Sequence, residues 1–232
     1  MLPAMGASIE VGGLRVSVDG PSTLSGVRFE VPGDFSSAAF FLVAALLAPD
    51  SEVILESVGV NPTRVGLLNV LKRMGAKIDV VSERMEAGEP VADIIASSSL
   101  LSGTVVAADE IPSLVDEIPI LAVAASVANG DTWIQGAGEL RVKETDRLAA
   151  VCSQLRLMGA QIEETTDGLK VYGPSRLCGT HLTSFGDHRM AMSLAIAGLI
   201  ADGETVIGDF ECVATSFPDF EKHLRRLSGL WQ

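Results

Sequence analysis

Two short strings concentrate the charge from which this sequence could build a reactive site. The first, Arg141-Val-Lys-Glu-Thr-Asp-Arg147, stands directly before an amphipathic segment. If it straddles a helix N-terminus, Lys143, Glu144 and Arg147 project toward one point while free backbone N–H groups add positive potential, and an oxyanion pocket results. A solvated charged loop is the alternative that the pattern leaves open. The second, Gly186-Asp-His-Arg-Met190, opens a long apolar stretch. A cation such as Arg189 is disfavoured in the first turn of a buried helix unless something anionic answers it. That partner is a bound anion, Asp187, or another carboxylate. Asp116, followed by Glu117 and Pro119, begins another apolar stretch and taken alone reads as a helix cap.

Other chemistries find little support. There is no GxxxxGK[ST] loop, HExxH, GxSxG or GxGxxG string, and His181, His188 and His223 have no metal-ligand spacing. Cys152, Cys178 and Cys212 lie far apart without a CxxC, which points to buried, inert thiols in a reducing, cytoplasmic setting rather than to a zinc ribbon or disulfide framework.

The elements that must hold these strings repeat along the chain. Met74-Gly-Ala-Lys-Ile78 and Met158-Gly-Ala-Gln-Ile162 each follow an amphipathic segment, at 64–74 and 147–158, with a glycine where a helix C-cap needs a positive φ. Upstream of them, short β-prone runs at 51–55 and 130–134 succeed the apolar stretches 38–48 and 118–128. The unit is helix, strand, helix, strand. A third copy runs from Asp187 through the apolar stretch 190–201 and the run 203–207 to a predicted helix at 217–227. Asp34, Asp116 and Asp187 open the apolar helix in the three copies, and each is expected to cap it. Met5-Gly-Ala-Ser-Ile9 matches the later helix ends almost without its helix, so residues 1–30 read as the tail of an earlier unit, a short native N-terminal hairpin being the alternative, with strands at 9–11 and 14–18 around Gly12-Gly13.

A chain of 232 residues, 47% hydrophobic and 20% charged, has enough apolar surface to fold around a core. With 17 basic against 30 acidic residues its formal charge is −13, which opposes nonspecific binding to nucleic acid or anionic membranes. The apolar stretches fall short of the roughly 18 residues of a membrane span, and no secretory signal opens the sequence.

Lys143 to Arg147 (KETDR), Gly186 to Met192 (GDHRMAM), Pro32 to Leu42 (PGDFSSAAFFL), Val115 to Pro119 (VDEIP) and Thr215 to Phe220 (TSFPDF) together resemble the EPSP synthases, the 3-phosphoshikimate 1-carboxyvinyltransferases. The resemblance covers essentially the whole chain in the family's motif order. UDP-N-acetylglucosamine enolpyruvyl transferases share the repeat architecture but do not usually carry the first two strings.

The resemblance implies an α/β (α+β) enolpyruvyl transferase-like fold of three βαβαββ units, starting near 31, 112 and 180. Residues 31–232 would form the family's C-terminal domain, and 1–30 a strand-rich remnant of the N-terminal one. It implies transfer of the enolpyruvyl group of phosphoenolpyruvate to the 5-hydroxyl of shikimate 3-phosphate, in the shikimate pathway to chorismate and the aromatic amino acids, without metal or organic cofactor. The family is the target of glyphosate.

By resemblance Asp116 is the base near the substrate hydroxyls, Glu144 the carboxylate at the methylene, and Lys143 a contact to the attacking hydroxyl. Arg147 and Arg189 bind phosphoenolpyruvate, and His188 lines the same pocket. The family's N-terminal Lys-Ser pair, phosphoenolpyruvate-binding arginine and Ser-Ser-Gln or Ser-Ala-Gln segment are absent, so the expectation is a chain inactive until a separate N-terminal half completes the cleft. A noncatalytic anion-binding fragment is the alternative. A second copy of the chain is a further expected partner, because the apolar faces of 1–30 lack their usual cover. Ser216 and Glu139 depart from the lysine and amide found there in some members.

Overall fold

The computed structural model describes residues 1–229. Residues 1–30 form a hairpin of β1 (Ser8–Gly12) and β2 (Arg15–Asp19), paired antiparallel from Ser8 opposite Asp19 to Gly12 opposite Arg15. Both strands lie apart from the core, and Val11, Leu14, Val16 and Val18 are exposed. Before them Gly6 closes a single 3-10 turn, Leu2–Met5, at φ 100°, which is all that remains of the expected helix.

The first unit then runs α1 (Phe35–Leu47), β3 (Glu52–Gly59), α2 (Gly66–Arg73), β4 (Lys77–Glu86) and β5 (Glu89–Ser97). The second is β6 (Val105–Val106), α3 (Ile118–Val127), β7 (Gly130–Ile134), α4 (Arg147–Leu157), β8 (Gln161–Thr165) and β9 (Gly168–Gly173). The third comprises β10 (His181–Thr183), α5 (His188–Leu199), β11 (Val206–Gly208) and α6 (Phe220–Ser228). The sheets share a pattern: β7 lies between parallel β6 and antiparallel β9, with β8 outside, and β3-β5-β4 repeats the antiparallel part. In the first unit a parallel bridge from Gly33 to Val58 stands where β6 pairs β7, and in the third β10 pairs β11 in parallel.

Helices α1, α3 and α5 pack on one another at the centre. Their composition explains this, since a helix apolar around most of its circumference has no face to offer water. α3 buries nine consecutive residues from Ile118 to Ser126. The amphipathic helices lie outside and bury one face each, Leu67, Leu68, Val70 and Leu71 in α2 and Phe220 and Leu224 in α6. Gly75 and Gly159 end α2 and α4 at φ 93° and 94°, as the repeated Met-Gly-Ala predicts.

Several expectations need correction. Asp34 and Asp187 do cap their helices, accepting from Ser37 N and from Arg189 N and Met190 N. Asp116 does not: it lies in a 3-10 turn, Val115–Glu117, and α3 starts without a side-chain cap. Pro119 removes one of the first-turn N–H groups that such a carboxylate would take. The last helix starts at Phe220 rather than 217, because the residue before Pro218 is disfavoured from helical geometry. Cys152 is buried and its thiol is pushed up to about 11 by burial, but Cys178 is exposed, so the thiols are not uniformly interior. Among the described residues no helix is long and apolar enough to cross a membrane.

Candidate functional site

The site lies where the N-terminal ends of α1, α3, α4 and α5 meet, so four helix ends lend positive potential to one region, three of them capped by Asp34, Asp146 and Asp187. Local structure places each side chain there. A 3-10 turn, Gly138–Val142, leads into the charged string, and Asp146 caps α4 by accepting from Ala149 N at 3.1 Å. Arg141 fastens this loop from outside, with Nη1 2.9 Å from Asp146 and 2.6 Å from Glu164 and with bonds to the carbonyls of Thr165 and Thr166. Arg147 is the first residue of α4 and points inward.

Arg147 is the pivot of the cluster and only 1% exposed. Its Nε donates to Asp187 Oδ2 at 2.7 Å, Nη2 to Glu144 Oε2 at 2.6 Å, and Nη1 to Asp116 Oδ1 at 3.2 Å. A buried guanidinium needs this full set of acceptors, because an unpaired buried charge is among the costliest defects a fold can carry. Asp187, itself 0% exposed, therefore caps α5 and anchors Arg147 with the same carboxylate.

Around Asp116 the cations converge. Arg189 Nη2 is 3.6 Å from Asp116 Oδ2, Lys143 Nζ is 3.8 Å from Oδ1, and Arg147 completes the ring. Burial pushes the Asp116 carboxyl up, but the field of Arg189, Lys143, Arg147 and Arg64 outweighs it and holds the group below its ordinary value. Lys143 also pairs with Glu139 Oε1 at 3.0 Å. The side chains of Arg189 and Lys143 are 16% and 24% exposed, so they, unlike Arg147, can meet a ligand directly. His188 starts α5, and burial followed by the Arg189 charge lowers its pKa, which favours a neutral imidazole beside the cluster.

The structure thus brings Asp116, Lys143, Glu144, Arg147 and Arg189 into one network and sets His188 at its edge. Sequence reasoning missed Glu117, Ser36 and Arg64. Ser36 Oγ donates to Glu117 Oε1 at 2.5 Å and accepts from Arg64 Nη2 at 3.1 Å, while Arg189 Nη1 lies 3.6 Å from Glu117 Oε1. A signal for Arg64 was present: Asn61-Pro-Thr-Arg64 occupies in the first unit the place of Glu144-Thr-Asp-Arg147 in the second. An apolar groove of about 540 Å³ lies between α5, β11 and α6, but the converging charges lie elsewhere, and the site is assigned on them.

Comparison with known proteins is consistent across the chain. The family model for EPSP synthase (3-phosphoshikimate 1-carboxyvinyltransferase) matches residues 1–224. The 3-phosphoshikimate 1-carboxyvinyltransferase of Desulforudis audaxviator is 53% identical over 227 residues, covering 98% of this chain and 53% of that protein. The protein of the same name from Thermosynechococcus vestitus is 52% identical over 230 residues, covering 98% of this chain and 52% of its own length. The structure of EPSP synthase from Acinetobacter baumannii superposes with a TM-score of 0.94 at 41% identity, covering 97% of this chain and 53% of that one. The chain spans about half the length of the relatives it matches.

Proposed function

The chain belongs to the EPSP synthase family, and from that premise we propose that it is the C-terminal half of a 3-phosphoshikimate 1-carboxyvinyltransferase, catalytic when an N-terminal half completes the cleft. Residues 31–232 are its domain, three units on a βαβαββ plan of which the third carries only the βαβα part among the described residues, and 1–30 are the end of the preceding domain. The observation that carries the reading is the convergence of Lys143, Arg147 and Arg189 on Asp116, with Glu144 held on Arg147 beside them.

The reaction joins the 5-hydroxyl oxygen of shikimate 3-phosphate to C2 of phosphoenolpyruvate. The hydroxyl loses a proton, the methylene carbon gains one, and a tetrahedral ketal results. Loss of phosphate from C2 and of a proton from the methyl carbon then gives the enol ether. Asp116 takes the hydroxyl proton, while Glu144, entering as the carboxylic acid, gives its proton to the methylene carbon and as the carboxylate takes one back from the methyl carbon in the elimination. In the free chain Asp116 is a poor base, because four cations hold its carboxyl below its ordinary value. An incoming anion that neutralises part of that field raises its basicity at the moment it is needed.

Arg147 has each guanidinium nitrogen on a carboxylate. A substrate anion can take its Nη2 only by displacing Glu144, whose side chain is 48% exposed and able to swing away. Binding therefore frees the carboxylate that the second proton transfer requires. Arg189 supplies a planar fork to the phosphate or carboxylate of phosphoenolpyruvate, and Lys143 a point charge to the attacking hydroxyl.

Phosphate release after mixing the chain with a purified N-terminal half tests the reading. The mixture is expected to turn over and the chain alone to stay silent. Turnover by the chain alone at an ordinary enzymatic rate, about 1–1000 per second, overturns the need for a second half, and silence of the mixture favours a noncatalytic anion-binding fragment. That fragment is the second reading, favoured by coverage of only half of each relative.

The exposed apolar faces of β1 and β2 make a second copy of the chain the other partner, by strand pairing. Light scattering of the chain with and without residues 1–30 tests this, with a dimer expected only when they are present.

A further inference from the structure

Glu117, unlike Asp187 with its anchoring of Arg147, is a buried carboxylate of the cluster to which neither the proposed reaction nor the fold has yet given a task. It is 2% exposed, yet it is answered from two other units: Ser36 at the start of α1 and Arg189 at the start of α5. Donor directions are fixed along the network. Arg64 Nη2 donates to Ser36 Oγ, so the Ser36 hydroxyl hydrogen is directed to Glu117 Oε1, and the same oxygen faces Arg189 Nη1.

Arg189 thus lies between two carboxylates with different outlooks. Glu117 faces its Nη1 from the interior, whereas Asp116, part exposed, faces Nη2 with its carboxylate from the side of the cluster and accepts a long hydrogen bond from Nη1 at 3.5 Å with its backbone carbonyl. A long side chain held from one side only is free to turn, and ordering it costs affinity when a ligand arrives. Without the interior carboxylate Arg189 would fold onto Asp116, closing the fork and tightening the grip on the base.

We propose that Glu117, backed by Ser36 and Arg64, is a positioning residue that holds the Arg189 guanidinium from behind so that its outward edge stays open to an anionic substrate group. The inference rests on the functional reading above for the identity of that group, but not for the orientation of Arg189. Burial pushes the Glu117 carboxyl above its ordinary value, against the pull of Ser36 and Arg189, so the carboxylate depends on these partners for its charge.

Two measurements test it. In the chain alone, ¹⁵N side-chain spectra, with the Arg189 Nε–H resonance assigned through Arg189→Lys, are expected to report restricted guanidinium rotation that Glu117→Ala releases while the Arg147 resonance keeps its restriction. In the chain completed by an N-terminal half, Glu117→Ala is expected to raise the KM for phosphoenolpyruvate by up to about tenfold, the upper end of the cost of ordering one long side chain on binding, with the smaller change in kcat. Glu117→Gln keeps an acceptor for Ser36 and Arg189 and is expected to rescue most of the KM.

Ser36→Ala should move both readouts in the same direction by less, and with Glu117→Gln it carries the test if the alanine variant does not fold. Unchanged rotation at Arg189 in these variants overturns the proposal, as does a fall in kcat at constant KM. If the completed wild type releases no phosphate, the functional reading fails while the spectra still decide the orientation.

Discussion

Asp116 and Asp187 occupy the same place in the second and third units, each just before a buried apolar helix, yet they do opposite work. Asp187 is wholly interior: its oxygens take Arg189 N at 2.9 Å, Met190 N at 3.3 Å and Arg147 Nε at 2.7 Å. Asp116 takes no helix N–H, because a 3-10 turn precedes α3 and Pro119 removes a first-turn donor. Its carboxylate is released to the cations of three segments. A repeat therefore fixes where a side chain stands, and the local backbone decides whether it serves the fold or the chemistry. One proline separates the two outcomes.

The sharpest way to break that contrast is to remove the structural member. Asp187→Ala leaves the Arg147 guanidinium buried without its anchor, and the loss in unfolding free energy is expected at about 3–5 kcal/mol, read from urea denaturation. The same change at Asp34, an exposed cap of α1, should cost about 1 kcal/mol. Equal losses at the two positions would remove the distinction between anchor and cap.

Asp116→Asn is expected to do the reverse, lowering kcat of the completed enzyme about 10²- to 10⁴-fold while destabilising the chain less than Asp187→Ala does. If it unfolds the chain as far as Asp187→Ala does and spares kcat, the roles are exchanged.

The smallest effect is a dependence on pH at the starts of α3 and α5. The pKa of His188 is lowered from its ordinary 6.5 by burial and by the Arg189 charge. Below 6.5 the unfolded chain then binds more protons than the folded one, so stability falls as pH drops through this window. Glu117 runs the other way. Burial raises its pKa from 4.5, so the folded chain holds the extra proton and stability declines as pH rises above that value. His188→Gln should flatten the slope below 6.5 in melting curves, and an unaltered slope would remove His188 from the account.

Much of this was legible in the residues. Met-Gly-Ala at 74–76 and 158–160 marked the ends of α2 and α4, and the run 130–134 coincides with β7, because glycine at positive φ and β-branched alternation are local signals. The partners of the site were less so. Arg189 was seen to need an anionic partner, a bound anion or a carboxylate, but that it would meet Asp116 and Glu117 instead of Asp187 depends on how α3 packs against α5, a contact between residues far apart in sequence. Ser36 was hidden for the same reason, as its hydroxyl gains meaning only when α1 lies beside α3. The loss of capping at Asp116 was within reach, since Pro119 is visible in the string, but the repeated acidic residue masked it.

The ring of contacts among the units also imposes an order in time. Phe220 of α6 packs edge-on to Phe40 of α1 at 6.0 Å and lies 5.4 Å from Phe41, while Phe217 reaches Phe41 at 5.9 Å. During synthesis at about 5–20 residues per second, these two phenylalanines leave the ribosome roughly ten to forty seconds before the rings that cover them. Over that interval the nascent chain carries the Phe40–Phe41 pair in the middle of α1 without these ring partners, and arrival of α6 is the event that supplies them.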